Sequence, residues 1–300
     1  MNEPTISLRI ARIDRLDEKG FGRGATDAGG TVAIPYVIPG ETVETKKLRR
    51  RQGELTRLLE ASPYRVEPDC HHFGRCGGCA WQHIEYVHQL RLKQDYAARL
   101  WSEMGCELEP TAIPIVPSPP FHYRNRMDFV WNYDGRFGLR EKGKWRSVVN
   151  LEECRLLPPR AMAAAMEINR RVQEAGLPFR DQKKGVPGLR YLVIRCGIFT
   201  LDVMASFVTD PMELPPSVWE GLELASVYQL INDNPQNDLS SGVPIHLAGA
   251  PYCRERIAGR IFHIMPETFF QPNPAVAEKM VEHVRERLAA MEETPRRLVD

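Results

Sequence analysis

Three cysteines within ten residues, Cys70, Cys76 and Cys79, constrain this chain more than any other feature. Gaps of five and then two residues put three thiols on one short loop. Gly74, Gly77 and Gly78 sit among them and let the backbone curl around a bulky core without Cβ clashes. Seven cysteines, an odd number, argue against a disulfide framework in a chain with no basic-then-apolar leader. The crowding points to a metal site. A cubane iron–sulfur cluster takes four thiolates. Cys154, in Asn150-Leu151-Glu152-Glu153-Cys154, is the candidate for the fourth. Zinc stays open beside it, because His71, His72 and His83 are available for a mixed site. Cys106, Cys196 and Cys253 fall in segments that read as helix end, strand and turn, where small apolar packing is the expectation.

Charge adds a second constraint. The net charge of +1 hides an asymmetry. Residues 115–200 hold 16 Lys and Arg against 8 Asp and Glu, whereas residues 201–300 hold 8 against 15. A middle segment of that sign suits a polyanion, though a solvated charged face explains it equally well. No apolar run approaches the ~20 residues of a membrane span. The stretch at Leu189–Ile194 is broken by Arg190 and Tyr191. A cytoplasmic chain without a membrane partner is expected.

At roughly 100–200 residues per domain, 300 residues allow two or three domains. Residues 5–60 read as short strands punctuated by glycine. Ile6, Leu8 and Ile10 alternate with polar neighbours, and Val32–Tyr36, Thr42–Lys47 and Glu54–Ala61 follow. Several short strands separated by turns predict a small β-barrel. Lys46, Lys47, Arg49 and Arg50 give it a basic run suited to a phosphate backbone. A helix is expected from Gln82 to Met104 with Tyr86, Leu90, Lys93, Ala97, Leu100 and Met104 on one face, and a proline-rich connection follows over 110–120. Met127, Phe129, Trp131 and Tyr133 then alternate as a strand that turns at Asp134-Gly135 and returns over Phe137–Leu139. A helix over Pro159–Ala175 stops at Gly176. Leu189–Cys196 and Phe199–Ser206 make a second hairpin, with further strands at Val227–Ile231 and Ile261–Ile264. Asn273 caps a last helix that has Pro274 at its first position and Ala277, Met280, Val281, Val284 and Leu288 on its apolar face. Leu298-Val299-Asp300 reads as the beginning of a strand.

The run Cys70-His-His-Phe-Gly-Arg-Cys76-Gly-Gly-Cys79-Ala-Trp-Gln82-His83, continuing to Tyr86, Gln89-Leu90 and Lys93, resembles the cluster loop and following helix of the iron–sulfur RNA 5-methyluridine methyltransferases. Residues 5–62, with Gly20-Phe21-Gly22 and Pro39-Gly40-Glu41, resemble the RNA-binding TRAM barrel that precedes the cluster in that family. Tyr123-Arg124-Asn125-Arg126, Gly138-Leu139-Arg140 and Cys154-Arg155-Leu156-Leu157 resemble its central domain. Phe269-Phe270-Gln271-Pro272-Asn273 resembles the opening of its methyltransferase domain.

The resemblance implies a multidomain α+β fold. It would have an OB-like barrel over 1–62 and a mixed antiparallel β/α iron–sulfur domain over 63–265. Over 266–300 there would be only the start of a Rossmann-like α/β methyltransferase domain, against which the helix at 82–104 would pack. It further implies a [4Fe–4S] cluster on Cys70, Cys76, Cys79 and Cys154. Gln271 would touch S-adenosylmethionine, although a polar residue ahead of a helix cap reads the same way. Asn273 is explained by capping. Arg124 and Arg126 are candidates for RNA, as are the basic residues of the barrel. The substrate implied is uridine in ribosomal or transfer RNA, methylated at C5 by a monomer, with no DNA partner. In the family a cysteine thiolate adds to C6 of uridine, C5 takes the methyl group, and a base removes the C5 proton. Those residues and the glycine-rich cofactor loop are expected beyond Asp300, so this chain is expected to bind RNA and hold the cluster without methylating. A stand-alone iron–sulfur RNA-binding module is the alternative.

Overall fold

The computed structural model describes residues 8–47, 51–234 and 239–291, and of Lys47 the backbone alone. Ile6, Arg49, Arg50 and the strand expected at Leu298–Asp300 therefore lie outside the described residues. The chain divides into two compact units, Met1–Pro117 and Ser118–Asp300. The division falls in the proline-rich connection.

The first unit begins with five strands: β1 (Leu8–Leu16), β2 (Gly22–Thr26), β3 (Thr31–Ile34), β4 (Thr42–Lys47) and β5 (Gly53–Glu60). They are ordered β3-β2-β1-β4-β5, each antiparallel to its neighbour. A parallel bridge between Ala33 and Gln52 joins the two ends of the sheet, with the Ala33 N–H donating to the Arg51 carbonyl at 2.8 Å. The strands thus form a curled half-barrel sheet in Greek-key order, with its ends meeting at that one bridge. Its interior holds Ala11, Ile13, Val32, Ile34, Val37 and Val43. The expected alternation at the start of β1 points the other way: Leu8 and Ile10 are exposed, and the buried face is Ala11 and Ile13.

Strand β2 falls where the sequence shows only glycine punctuation, and Gly22 and Gly24 lower its strand propensity. Both glycines are needed for close approach. A Cβ on Gly24 would lie 2.0 Å from the Arg12 carbonyl oxygen across the sheet, and one on Gly22 would lie 2.3 Å from the Val37 side chain.

Helix α1 (Tyr86–Glu103) starts four residues later than the sequence pattern suggested. The preceding chain is held in a turn: the Ile84 N–H donates to the Trp81 carbonyl at 3.0 Å, and the Gln89 side-chain amide donates to the carbonyls of Trp81 (3.1 Å) and Ile84 (2.8 Å). Its buried residues are Leu92 and Ala98. Leu92 packs with Leu16, Ile38 and Ile84, and Arg99 donates to the Leu16 carbonyl at 2.9 Å. The buried side therefore meets the barrel, while Leu100 and Met104 of the expected face are exposed.

The second unit is built on β6 (Arg126–Trp131), β7 (Phe137–Glu141), β8 (Lys144–Asn150), β9 (Leu189–Cys196), β10 (Val203–Thr209), β11 (Ser226–Ile231) and β12 (Val243–Gly249). Their order is β12-β11-β10-β9-β6-β7-β8, with only the β10–β11 pair parallel. β9 and β10 lie inside the sheet and are buried along their whole length. Helix α2 (Pro159–Glu174) lays Ala161, Ala165, Ile168 and Val172 into the core, and the Trp131 indole donates to the Asn169 side chain at 2.8 Å. β10 begins later than the expected Phe199 because the buried Glu255 carboxylate captures the N–H groups of Ile198 (2.6 Å) and Phe199 (3.0 Å).

A separate hairpin, β13 (Cys253–Ile257) with β14 (Arg260–Ile264), precedes α3 (Pro274–Ala289). The Asn273 side chain accepts from the Val276 N–H at 3.2 Å, which is the expected cap. Of the expected apolar face of α3, Ala277 is buried, while Met280, Val281 and Val284 are exposed. No helix among the described residues is long and apolar enough to cross a membrane.

Candidate functional site

The cysteine loop is rooted in the barrel. Glu41, fully buried at the start of β4, accepts from both Arg65 nitrogens at 2.7 Å and from the N–H groups of Ile38 (2.8 Å) and Ser62 (3.2 Å). Arg65 also donates to the Tyr36 carbonyl at 3.0 Å, and the Tyr36 hydroxyl reaches the Gly74 carbonyl at 3.1 Å. Gly74 adopts a left-handed conformation, φ +86°, that turns the loop. The Cys76 N–H donates to the His72 carbonyl at 2.9 Å, the Cys70 N–H to the Gln82 side chain at 3.2 Å, and the Gly78 N–H to Cys76 Sγ at 3.4 Å. Burial pushes the Tyr36 hydroxyl up to about 12, with Cys76 and Cys79 adding to the rise. All three loop cysteines are half-buried. His83 is buried beside the rings of Phe73 and Tyr36, at 5.5 and 6.2 Å between centroids.

Cys154 lies in the second unit and is also half-buried. The sequence motifs expected in that unit converge on one segment. The His122 N–H donates to the Arg155 carbonyl at 2.8 Å and the Arg124 N–H to the Leu156 carbonyl at 3.0 Å, so residues 122–124 run beside the Cys154 segment. Asn125, 3% exposed, continues the link: its side-chain amide donates to the Gln271 carbonyl at 2.9 Å and its backbone N–H to the Pro272 carbonyl at 3.2 Å. The Cys154 and Gln271 segments are thus tied to the same four-residue stretch, 122–125. Gln271 itself is exposed.

The candidate RNA residues are placed as follows. Arg126 forms a two-bond ion pair with Asp128, at 2.7 and 2.9 Å, so its charge is matched on its own strand. Arg124 is half-buried, and its Nε has no hydrogen-bond partner. Lys46 is half-buried on β4, in register with Leu8 on one side and Glu54 on the other. The Lys47 side chain, Arg49 and Arg50 are outside the described residues.

The remaining cysteines sort by environment. Cys196 and Cys253 are buried, and burial pushes both thiols up to about 12. Cys106 is exposed just past the end of α1, which corrects the expectation that it packs as a small apolar side chain.

Among the described residues, no three His, Cys, Asp or Glu side chains are grouped as a metal site. The donor set of the loop nevertheless suits a thiophilic metal centre: three thiols, none in a disulfide, one already accepting a backbone N–H as cluster sulfurs do. The sequence did not single out Trp145, Arg146 and Lys183, which line a cleft of about 280 Å³ together with Tyr133 and Arg140. An exposed tryptophan between basic residues in Lys144-Trp145-Arg146 was the available signal.

No protein-family model matches the chain. It is 33% identical over 291 residues to an uncharacterized RNA methyltransferase of Nanoarchaeum equitans, covering 93% of this chain and 62% of the relative. It is 33% identical over 281 residues to the tRNA (uracil(54)-C(5))-methyltransferase of Pyrococcus abyssi, covering 91% and 65%. The 23S rRNA (uracil(747)-C(5))-methyltransferase of the same organism is 33% identical over 268 residues, covering 85% and 62%. The crystal structure of the Pyrococcus abyssi tRNA (uracil-54, C5)-methyltransferase in complex with S-adenosyl-L-homocysteine superposes with a TM-score of 0.73 at 29% identity, covering 92% of this chain and 64% of that one. The chain therefore spans somewhat under two thirds of the length of these relatives. By sequence and by fold it is similar to RNA uracil-C5 methyltransferases, and its matches include both tRNA and 23S rRNA enzymes.

Proposed function

We propose that this protein serves the S-adenosylmethionine-dependent methylation of uridine at C5 in structured RNA, and that these 300 residues recognise the RNA and hold an iron–sulfur cluster. The observation that carries the reading is the fold match at 29% identity over 92% of the chain to a uracil-C5 methyltransferase bound to S-adenosyl-L-homocysteine.

In this reading Cys70, Cys76, Cys79 and Cys154 supply four thiolates to a [4Fe–4S] cluster. Bound there, the cluster would cross-link two distant stretches of chain. The Gly78 N–H to Cys76 Sγ bond supports this, because such bonds stabilise thiolate over thiol. Gln271 contacts S-adenosylmethionine, with its backbone fixed by Asn125 so that the exposed side chain is presented at a set place. Lys46, Lys47, Arg49 and Arg50 on the barrel, with Arg124 and Arg126 in the second unit, are the phosphate-contacting candidates. Of these, Arg126 would have to exchange Asp128 for RNA. Cys196 and Cys253 do not act as the nucleophile that adds to uridine C6, since burial holds both as thiols.

The test is anaerobic purification followed by iron and sulfide analysis of wild type and Cys154→Ser, with tritiated S-adenosylmethionine and a tRNA transcript in parallel. Expected are about four irons per chain in wild type, a clear loss in the variant, and RNA binding without methyl transfer. Iron-free wild type, or a serine variant with undiminished iron, overturns the cluster assignment. Robust methyl transfer by these 300 residues overturns the division of labour.

A further inference from the structure

We propose that the cleft beside Trp145 is a pocket for one unpaired nucleobase of the RNA. The proposal rests on the reading of this chain as RNA-binding and adds a site and a mode to it. Strand β8 is the edge of the seven-stranded sheet. Its pairing with β7 jumps: Arg140 faces Val148, yet the next residue, Glu141, faces Lys144. Trp145, Arg146 and Ser147 are therefore looped out of the ladder as a bulge. Bulges at sheet edges re-aim side chains, and they recur beside functional sites.

The side chain re-aimed here is an indole left 57% exposed, and Tyr133, 58% exposed, lines the same cleft from the β6–β7 turn. One exposed aromatic on a surface is ordinary. Two lining one cleft need a reason. Arg140 holds the bulge in place: one guanidinium nitrogen donates to the Trp145 carbonyl, and the other donates to the Tyr191 hydroxyl at 2.8 Å. Arg146 lies over the indole at 4.8 Å from its centroid.

Charge identifies the class of ligand. The lining carries five cationic side chains and one carboxylate, Asp181. Arg180 and Arg190 share the single carboxylate of Asp210, and Arg140, Arg146 and Lys183 add to the positive lining. Asp181 caps its own turn, accepting from the N–H groups of Lys183 (2.9 Å) and Lys184 (3.2 Å). Flat aromatic faces with guanidinium and ammonium groups at the rim match a base with its phosphate. At about 280 Å³ the cleft lies just below the roughly 300–1,000 Å³ of pockets for drug-sized ligands. That is the scale of one base, and a duplex, whose bases are stacked inward, has none to offer.

The experiment is fluorescence anisotropy on the full chain, with a labelled RNA hairpin carrying an unpaired uridine-rich loop and with a blunt duplex of the same stem. Trp145→Ala is expected to raise the hairpin Kd about 5- to 150-fold and to leave the duplex Kd unchanged. Trp145→Phe should recover most of the loss. Lys183→Gln should lower the slope of log Kd against log salt by about one. A thermal melt guards against misfolding. Wild-type binding that Trp145→Ala leaves intact overturns the pocket while the RNA reading stands. Equal losses on hairpin and duplex also overturn it, since the site would then read backbone. A wild-type chain that binds neither RNA overturns both proposals.

Discussion

Replacing Glu41 tests whether the cysteine loop owes its position to the barrel. The carboxylate is fully buried and accepts four hydrogen bonds, two of them from Arg65 at 2.7 Å in a parallel fork. Glu41→Ala leaves the Arg65 guanidinium facing a void and strips the N–H groups of Ile38 and Ser62 of their acceptors. The Arg65 side chain is 23% exposed, so water relieves only part of the loss. Breaking one side of a buried pair costs about 3–5 kcal/mol, a large fraction of the roughly 5–15 kcal/mol that holds a domain together. Urea unfolding followed by circular dichroism should show the first transition moving to lower denaturant by that amount. Because Arg65 also grips the Tyr36 carbonyl, and Tyr36 grips Gly74, iron content after anaerobic purification should fall in the same variant. Glu41→Gln keeps an acceptor for one guanidinium nitrogen and should lie between. A Glu41→Ala shift under about 1 kcal/mol, the size of a surface ion pair, would refute the reasoning. So would full iron content in a strongly destabilised chain, because the lock and the loop would then be independent.

Further outcomes follow from the same physics. At pH 8 a thiol raised to about 12 is ionised at only ~1 part in 10,000, so iodoacetamide should modify Cys106 and spare Cys196 and Cys253 in the native chain, with peptide mass spectrometry as the readout. Asn125→Ala should cost about 0.5–1.5 kcal/mol by removing the hydrogen bond from the Asn125 amide to the Gln271 carbonyl, and a chemical melt with no loss would show that water replaces the amide. Asp202 is held below the usual carboxylate range by hydrogen bonds from Arg254, with burial opposing. A depressed folded-state pKa contributes stability above the unfolded value near 3.9 and loses it as pH falls through the folded value. The stability gap between wild type and Asp202→Asn should therefore be present at pH 7 and close in acid; a gap that persists below pH 2 would assign it to geometry and not charge.

The chain advertises its elements unevenly, and the reason is local. β4 and β9 are legible to the residue: Thr and Val alternate with charged residues in half-buried β4, and apolar residues fill the buried β9. α2 is legible through the proline that opens it and the glycine that stops it. β2 is not, because Gly24 answers to the neighbouring Arg12 backbone and Gly22 to the Val37 side chain, contacts that the sequence does not display. Nor is β8, whose exposed first half loops out of register. Helical periodicity showed that α1 and α3 each have an apolar face, but periodicity is silent about which apolar residues find a partner. In α1 the buried pair Leu92 and Ala98 lies off the expected stripe.

The seven cysteines show the same limit from the chemical side. Spacing alone separated the loop trio from the rest, and the structure adds what spacing lacks: surroundings that decide which thiols can ionise. Two are sealed where desolvation keeps the proton on sulfur. One is exposed beyond the end of a helix. The four proposed as ligands are all half-buried. Cys154 shares that half-buried setting with the loop trio, although the sequence places it far from the loop. A thiol that binds a metal releases its proton on binding, so the pairing of these four rests on their common exposure and on spacing, not on titration.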